Sequence, residues 1–369
     1  MIKQLKINGF RGLKNYQIDN VGKINLLVGT NNSGKTSILE AIRLLKSKGN
    51  PRSIFHVLYR RGEQIQDETE NRGSVEADLC RLFYSYRLIP DSIFSITGHD
   101  NHEHEDLKLT VEGIPKQTTL FDDHPDFSGQ YQVNVCWSMG NEQNSENFPI
   151  SQNGGLSYDH IRRTSVKLKE IDINNLEFVP TASLSPQKII SLFDEIVLSP
   201  DEDLVLKALR IIEPDIDRIA SMGGANRRPV LSSEDYVRGG ILVKTKKWKK
   251  RIPIGSLGDG IWRMLGLILS LIGAKNGTLL IDEIDTGLHH TVMAKMWKLI
   301  CEIAQELNVQ IFATTHSSDG WKSLAENALK NDFRNTEIRI HRINRYKNNP
   351  ETFTNLEMDI ALNREIEVR

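Results

Sequence analysis

A chain of 369 residues, 39% of them hydrophobic, is long enough for a large buried core or for one composite domain with lobes. Its net charge of −1 excludes a globally basic nucleic-acid binder and leaves only a local patch for that role. The three cysteines, Cys80, Cys136 and Cys301, stand far apart without a CxxC pair, which excludes a disulfide scaffold or zinc ribbon and fits a reducing cytoplasm.

The N-terminal MIKQLKINGFRG is charged and alternating, so it predicts a half-buried strand over Ile2–Phe10 rather than a signal peptide. Ile24–Val28 is a compact apolar run, as in a buried strand. A glycine-rich stretch, GTNNSGKT (29–36), separates it from KTSILEAIRLLKS, where Ile38, Ile42 and Leu45 fall at helical spacing. Residues 47–75 are expected to be the most flexible stretch. From about 75 to 170, short alternating runs such as FSITG, LKLTV and YQVNVCW predict antiparallel strands and turns.

Between 181 and 235 the pattern reads as helical, with Ser199-Pro200-Asp201-Glu202 as a start signal and Pro214 as a stop. ILVKTKKWKKRIPI (241–254) predicts a hairpin. There follow a helix (IWRMLGLILSLIGA), a buried strand (TLLID), a helix (TVMAKMWKLICEIAQEL), a strand (VQIFATT) and a last strand near EIRIHRI. Alternation of this kind predicts an α/β fold with a mostly parallel sheet covered by helices. Its expected division is a first lobe over 1–180 with an antiparallel β subdomain at about 75–170, a helical insertion at 181–235, and a second lobe at 236–369. The longest apolar stretch, Met264 to Ala274, is too short to span a bilayer, so no membrane contact is expected.

Four segments carry chemistry. In the first, Gly29 and Gly34 let successive backbone N–H groups turn inward towards phosphate, aided by the dipole of the following helix. Lys35 then reaches β- and γ-phosphate oxygens and the Thr36 hydroxyl ligates magnesium. In the second, GTLLIDEID, a buried strand delivers Asp282 to the magnesium shell and Glu283 as the group that polarises an attacking water. The third, VQIFATTHSSD, places His316 at another strand end, where its ring can sense a γ-phosphate. The fourth, GSLGDGIWRML, opens a helix after three glycines, a second anion-seeking turn. Two such turns about 220 residues apart raise the prospect that the second faces a nucleotide held by another copy.

Two further segments invite weaker readings. KTKKWKKR, with Lys244, Lys246, Lys247, Lys249, Lys250 and Arg251 around Trp248, is a possible track for DNA or RNA, or else a solvated edge whose lysines discourage aggregation. HDNHEHED brings His102 and His104 to one strand face, but its acidic turn residues fit a solvated hairpin tip better than a metal site.

FRG after the first strand, GTNNSGKT, SLGDGIWRML, LLIDEIDTGLHH and ATTHS occur in the order found in ABC-type ATPase heads. The chain resembles the group that contains SMC proteins, RecF and, above all, the OLD-like (overcoming lysogenization defect) ATPases, whose branch the NNSGKTS and GDG spellings favour. That resemblance implies a P-loop NTPase of ABC-ATPase type, with ATP and Mg²⁺ as ligands. Gly29, Asn31, Asn32, Ser33, Gly34, Lys35, Thr36 and Ser37 would form Walker A, and Asp282 and Glu283 Walker B. Gly287, Leu288 and His289 would lie in the D-loop, His316 would be the switch histidine, and Ser256, Gly258, Asp259 and Gly260 would belong to the signature. Arg11 would approach the phosphates. Two subunits in such heads pack head-to-tail around two ATP molecules, which implies a homodimer or higher homo-oligomer.

Three departures qualify this expectation. The signature reads LGDG in place of LSGG, so the usual serine is absent or supplied by Ser256, and slow hydrolysis or a weaker dimer follows. The Q-loop glutamine has four candidates: Gln130, Gln132, Gln152 and Gln187. Many OLD-like proteins continue into a Toprim nuclease domain, and no room for one or for a long coiled coil is evident. An ATPase-only form is therefore expected, regulating a separate nuclease or toxin, and the resemblance implies a role in anti-phage defence. A DNA-repair or recombination clamp is the alternative. A small-molecule kinase would have no use for the GDG turn or the switch histidine, and the lack of an NKxD motif disfavours GTP.

Overall fold

The computed structural model describes residues 1–65, 75–100, 103–113, 131–151, 153–164, 175–222, 240–247, 250–333, 336–364 and 367–368. The chain divides into two compact units. One comprises Met1–Val21, Asn32–Asn174 and Ile343–Glu351, the other Gly22–Asn31, Asn175–Arg342 and Thr352–Arg369.

In the first unit an antiparallel sheet runs in the order Leu13–Ile18, Gln4–Phe10, Ile93–His99, His104–Gly113, Tyr131–Met139, Glu142–Pro149. Period-2 alternation sends Leu5, Ile7, Leu107, Leu109, Val133, Val135 and Trp137 to buried positions. Helix Lys35–Lys46 packs closely: a Cβ on Gly98 would come 3.0 Å from Leu45. Just beyond the helix, Gly49, with φ of +67° and no Cβ, lets the chain turn under Val135 and Leu107. A second helix, Pro51–Tyr59, follows at once. Asn50 caps it by accepting the Arg52 N–H at 2.9 Å, and Pro51 occupies its first turn. The stretch expected to be flexible thus begins with a capped helix that buries Ile54, Phe55, Val57 and Leu58.

The second unit holds the parallel sheet. Its order is Leu176–Val179, Thr278–Ile281, Gln310–Thr314, Ile24–Val28, Ile338–Arg342, with Glu351–Phe353 at the edge, and the four pairings among the first five strands are all parallel. Thr278–Ile281, Gln310–Thr314 and Ile24–Val28 are buried throughout, as strands covered on both faces must be. Polar side chains are buried among them too, and Asn25 sits in the middle of the sheet. Its amide bonds the Gly22 and Ile311 carbonyls at 2.8 and 3.1 Å, and its oxygen meets His341 Nε2 at 3.2 Å. Burial, with Arg339 adding repulsion, pushes the His341 pKa down to about 3.

Helices Pro186–Ile196 and Asp201–Ile212 form where helix was expected. Ser199 Oγ accepts the Asp201 N–H at 3.2 Å, while Glu202 reaches back to the Leu198 N–H at 3.0 Å. Beyond Pro214 the helical expectation fails: Ile216–Ser221 is a strand, paired antiparallel with Ile241–Thr245. A proline stop and the inward-facing Ile216 and Ile219 account for the switch. Ile241–Thr245 also pairs with Ile252–Pro253, closing the expected hairpin. Helices Asp259–Gly273 and His290–Glu306 stand where their apolar spacing placed them. Helices Ser318–Ala328 and Asn355–Asn363 and the edge strand Glu351–Phe353 were not foreseen. Several segments read from the sequence lie wholly or partly outside the described residues: 66–74, 223–235, His102, Gln130, Gln152, Trp248 and Lys249. Among the described residues no helix is long and apolar enough to cross a membrane.

Candidate active site

Three parallel strands of the second unit end side by side. Ile24–Val28 runs into Gly29, Thr30 and Asn31; Thr278–Ile281 into Asp282 and Glu283; Gln310–Thr314 into Thr315 and His316. Their register is fixed by Ile281↔Ala313 and Thr314↔Leu27 and by the Thr315 N–H to the Leu27 carbonyl at 3.1 Å. Carboxyl ends of parallel strands are where open α/β sheets bind ligands.

The acidic pair is held firmly. Asp282 accepts hydrogen bonds from the hydroxyls of Thr314 at 2.9 Å and Thr181 at 3.1 Å. Glu283 has φ +50°, a left-handed conformation unusual outside glycine. Its N–H reaches Thr314 Oγ1 at 2.8 Å, and Arg263 Nη2 donates to its carbonyl at 2.9 Å and to that of Asp282 at 2.8 Å. Arg263 also donates to the Pro180 carbonyl. This guanidinium is 2% exposed, and burial pushes its pKa down to about 10. Arg263 thus clamps the strand-to-turn bend that points Glu283 outward. Strain of this kind persists only where surrounding contacts impose it. His316 Nδ1 lies 2.5 Å from Glu283 Oε2, and since a carboxylate only accepts, the ring nitrogen donates. Asp285 accepts from Thr315 Oγ1 at 2.7 Å.

From Asn32 onward the glycine-rich stretch belongs to the first unit. Gly29 and Gly34 have φ of +144° and +105°, and Asn32 +60°. Helix Lys35–Lys46 begins at Gly34 with no side-chain cap and no acidic residue in its first turn. Ser33 Oγ is buried without a hydrogen-bond partner, and Lys35 is buried at 6% exposure. An uncapped helix start, an orphaned hydroxyl and a sequestered lysine fit a phosphate. Thr36 and Ser37 follow in the first helical turn.

Arg11, at φ +50°, meets Glu40 at 2.8 Å and Glu63 at 2.8 and 3.0 Å, while Arg61 reaches Glu40 at 2.7 Å. Its guanidinium is 3% exposed and engaged by carboxylates. Here it ties the helix that follows the glycine stretch to the chain near Glu63.

The GSLGDG segment forms a single 3₁₀ turn, Ile254–Leu257, and then helix Asp259–Gly273. Gly258 between them has φ +96°, and a Cβ there would meet nothing within 4 Å. Gly260 packs tightly instead: a Cβ on it would sit 2.9 Å from the Gly287 carbonyl. Gly287, Leu288 and His289 run just before helix His290–Glu306, which His289 caps by accepting the Thr291 N–H at 3.4 Å. Of the glutamines, Gln132 bonds Glu112 within the antiparallel sheet, whereas Gln187 sits in helix Pro186–Ile196.

Within the second unit the strand ends bring Gly29, Asn31, Asp282, Glu283 and His316 to one sheet edge. Lys244 and Lys247 pair with Asp217 and Asp215 of the neighbouring strand region. His104 pairs with His99 across a hairpin, with their Nδ1 atoms 3.1 Å apart. Arg263, Thr181 and Thr314 were not anticipated. Arg263 did leave a trace, as a lone charge in the apolar run IWRMLGLILSL.

A buried parallel strand that runs through a glycine turn into an uncapped helix is the local plan of a P-loop NTPase. Comparison with known proteins agrees: residues 1–196 match the AAA ATPase domain family, and the chain belongs to it. Residues 138–319 match a second family, described as AAA domain, putative AbiEii toxin, Type IV TA system. An ATP/GTP phosphatase of Helicobacter pylori is 23% identical over 352 residues, 90% of each protein. An OLD nuclease of Thermus scotoductus is 23% identical over 342 residues, covering 86% of this chain and 59% of that protein. RecF of Sodalis glossinidius is 30% identical over 153 residues, 37% of this chain and 42% of RecF. These matches bear out the resemblance to OLD-like and RecF ATPases.

Proposed function

We propose that the protein is a slow cytoplasmic ATPase in which two copies close head-to-tail on ATP and thereby regulate a separate effector. Lys35 neutralises the β- and γ-phosphates, with the Gly29–Gly34 backbone and Ser33 around them. Thr36 and Asp282 would hold Mg²⁺, which offsets the charge that develops on the transferring phosphoryl group. Glu283 orients and deprotonates the attacking water, and His316, now on Glu283, hydrogen-bonds the γ-phosphate. Ser256, Gly258, Asp259 and Gly260 supply the second wall, in trans. The observation that carries this reading is the turn at Gly258, open around its α-carbon at an uncapped helix start. Asp259 in that first turn opposes an anion and fits slow turnover. A role in anti-phage defence, with a nuclease or toxin as effector, draws on the likeness to the OLD nuclease.

Subunit mixing tests the trans arrangement. Lys35→Ala and Gly258→Asp proteins should each be inactive. Their equimolar mixture should regain about a quarter of wild-type turnover, because half the dimers are mixed and one of two sites in each is intact. A silent mixture of folded proteins contradicts the head-to-tail reading.

The RecF match favours a second reading, a DNA clamp. The ion pairs of Lys244 and Lys247 weigh against the lysine hairpin as its contact surface. Duplex binding that weakens with salt and with Lys246 and Lys250 charge reversal would restore it.

A further inference from the structure

The first unit contains a cleft built from none of the residues assigned to the candidate active site. Its walls are two helices, Pro51–Tyr59 and Tyr158–Thr164. Each presents residues at i, i+3 and i+4, the spacing that gathers side chains on one helix face. Arg52, Phe55 and His56 come from the first, Tyr158, Ile161 and Arg162 from the second, and together they line a cavity of about 350 Å³. The Phe55 and Tyr158 rings lie 5.2 Å apart at 47°, and Tyr59 stacks on Phe55 at 5.7 Å and 21°. Tyr158 is 46% exposed, so much of its ring remains open to a ligand. Arg52 and Arg162 are exposed, and among the described residues no carboxylate lines the cavity.

The electrostatics agree with this lining. The His56 pKa lies below its ordinary value, through desolvation first and then the charges of Arg43, Arg60 and Arg52. Arg43, Arg60 and Arg52 thus all stand near enough to His56 to act on it. Guanidinium groups beside aromatic rings select a flat, π-rich anion. The volume lies near the lower end of the about 300–1,000 Å³ typical of small-molecule sites, which suits one nucleotide rather than a run of them.

We propose that this cleft is a second nucleotide site, taking a single nucleotide with its base against Tyr158 and its phosphate on Arg52 and Arg162. A free nucleoside monophosphate and the 5′-phosphorylated end of a single strand offer the same chemistry.

Calorimetry on the full chain, with excess ADP and Mg²⁺ occupying the phosphate loop, separates these sources. AMP and a short 5′-phosphorylated oligothymidylate are titrated in turn. AMP binding at one per chain identifies a free nucleotide as sufficient, and binding of the oligonucleotide alone identifies a strand end. In either case Arg52→Glu with Arg162→Glu should weaken binding about ten-fold or more, and Tyr158→Ala should weaken it several-fold. Basal ATP turnover and the thermal midpoint should be unchanged in these variants. Failure of both probes to bind at low salt, or binding that survives the charge reversal, overturns the proposal.

Discussion

Glu283, the residue proposed to activate water, owes its position to neighbours on other elements. Its left-handed backbone would relax if the bend were not pinned, and the Arg263 guanidinium donates to three carbonyls around it, those of Pro180, Asp282 and Glu283. Arg263→Met should cost about 1–3 kcal/mol of stability, because the hydrogen bonds of a buried guanidinium that ties Pro180 to the Asp282–Glu283 bend are lost. It should also lower kcat about ten-fold while KM for ATP holds, since the phosphate loop is untouched. A large rise in KM with unchanged kcat would contradict a role in positioning Glu283. Glu283→Gln itself should reduce turnover by about 100-fold or more, as expected for loss of a general base, while ATP binding measured by calorimetry persists.

Elements carry two further predictions. Helix Asp259–Gly273 starts against the Gly287 turn with no space for a methyl group at Gly260. Gly260→Ala should therefore destabilise the protein by about 1–3 kcal/mol through overpacking, read as a drop in thermal midpoint. Strand Ile338–Arg342 carries His341, neutral and buried, with a folded pKa of about 3 against 6.5 for an ordinary histidine. Between those values the unfolded chain binds a proton that the folded chain refuses. Stability is thus lost as pH falls through this window, by at most about 1.4 kcal/mol per pH unit. Denaturation midpoints from pH 7 to pH 5 should fall, and His341→Gln should flatten the slope by about one proton's worth; an unchanged slope would contradict the assignment.

Which elements were legible follows from the same physics. The core strands Ile24–Val28, Thr278–Ile281 and Gln310–Thr314 are apolar runs buried on both faces, so they stand out in the sequence. Helix Pro51–Tyr59 did not, because Arg52, His56, Arg60 and Arg61 mask its short apolar face. Strand Ile216–Ser221 lay hidden in a segment whose earlier residues are helical. At the site, the glycine stretch, Asp282, Glu283 and His316 announce their chemistry by local spelling. Arg263 and Arg11 do not, since their partners lie 19 to 83 and 29 to 70 residues away, and only the fold brings them together.

At the scale of the whole molecule, ATP is proposed to act as a clamp between copies, with hydrolysis as the release. A turn such as that at Gly258, with open space around its α-carbon, gains a purpose when another copy's nucleotide fills it. Head-to-tail contacts that close on themselves give a dimer rather than a filament. The most direct test is the mass in solution of Glu283→Gln protein by light scattering, with Mg²⁺ and either ATP or ADP. The account predicts a dimer with ATP and a monomer with ADP. A monomer in ATP, with one nucleotide bound per chain, would contradict it.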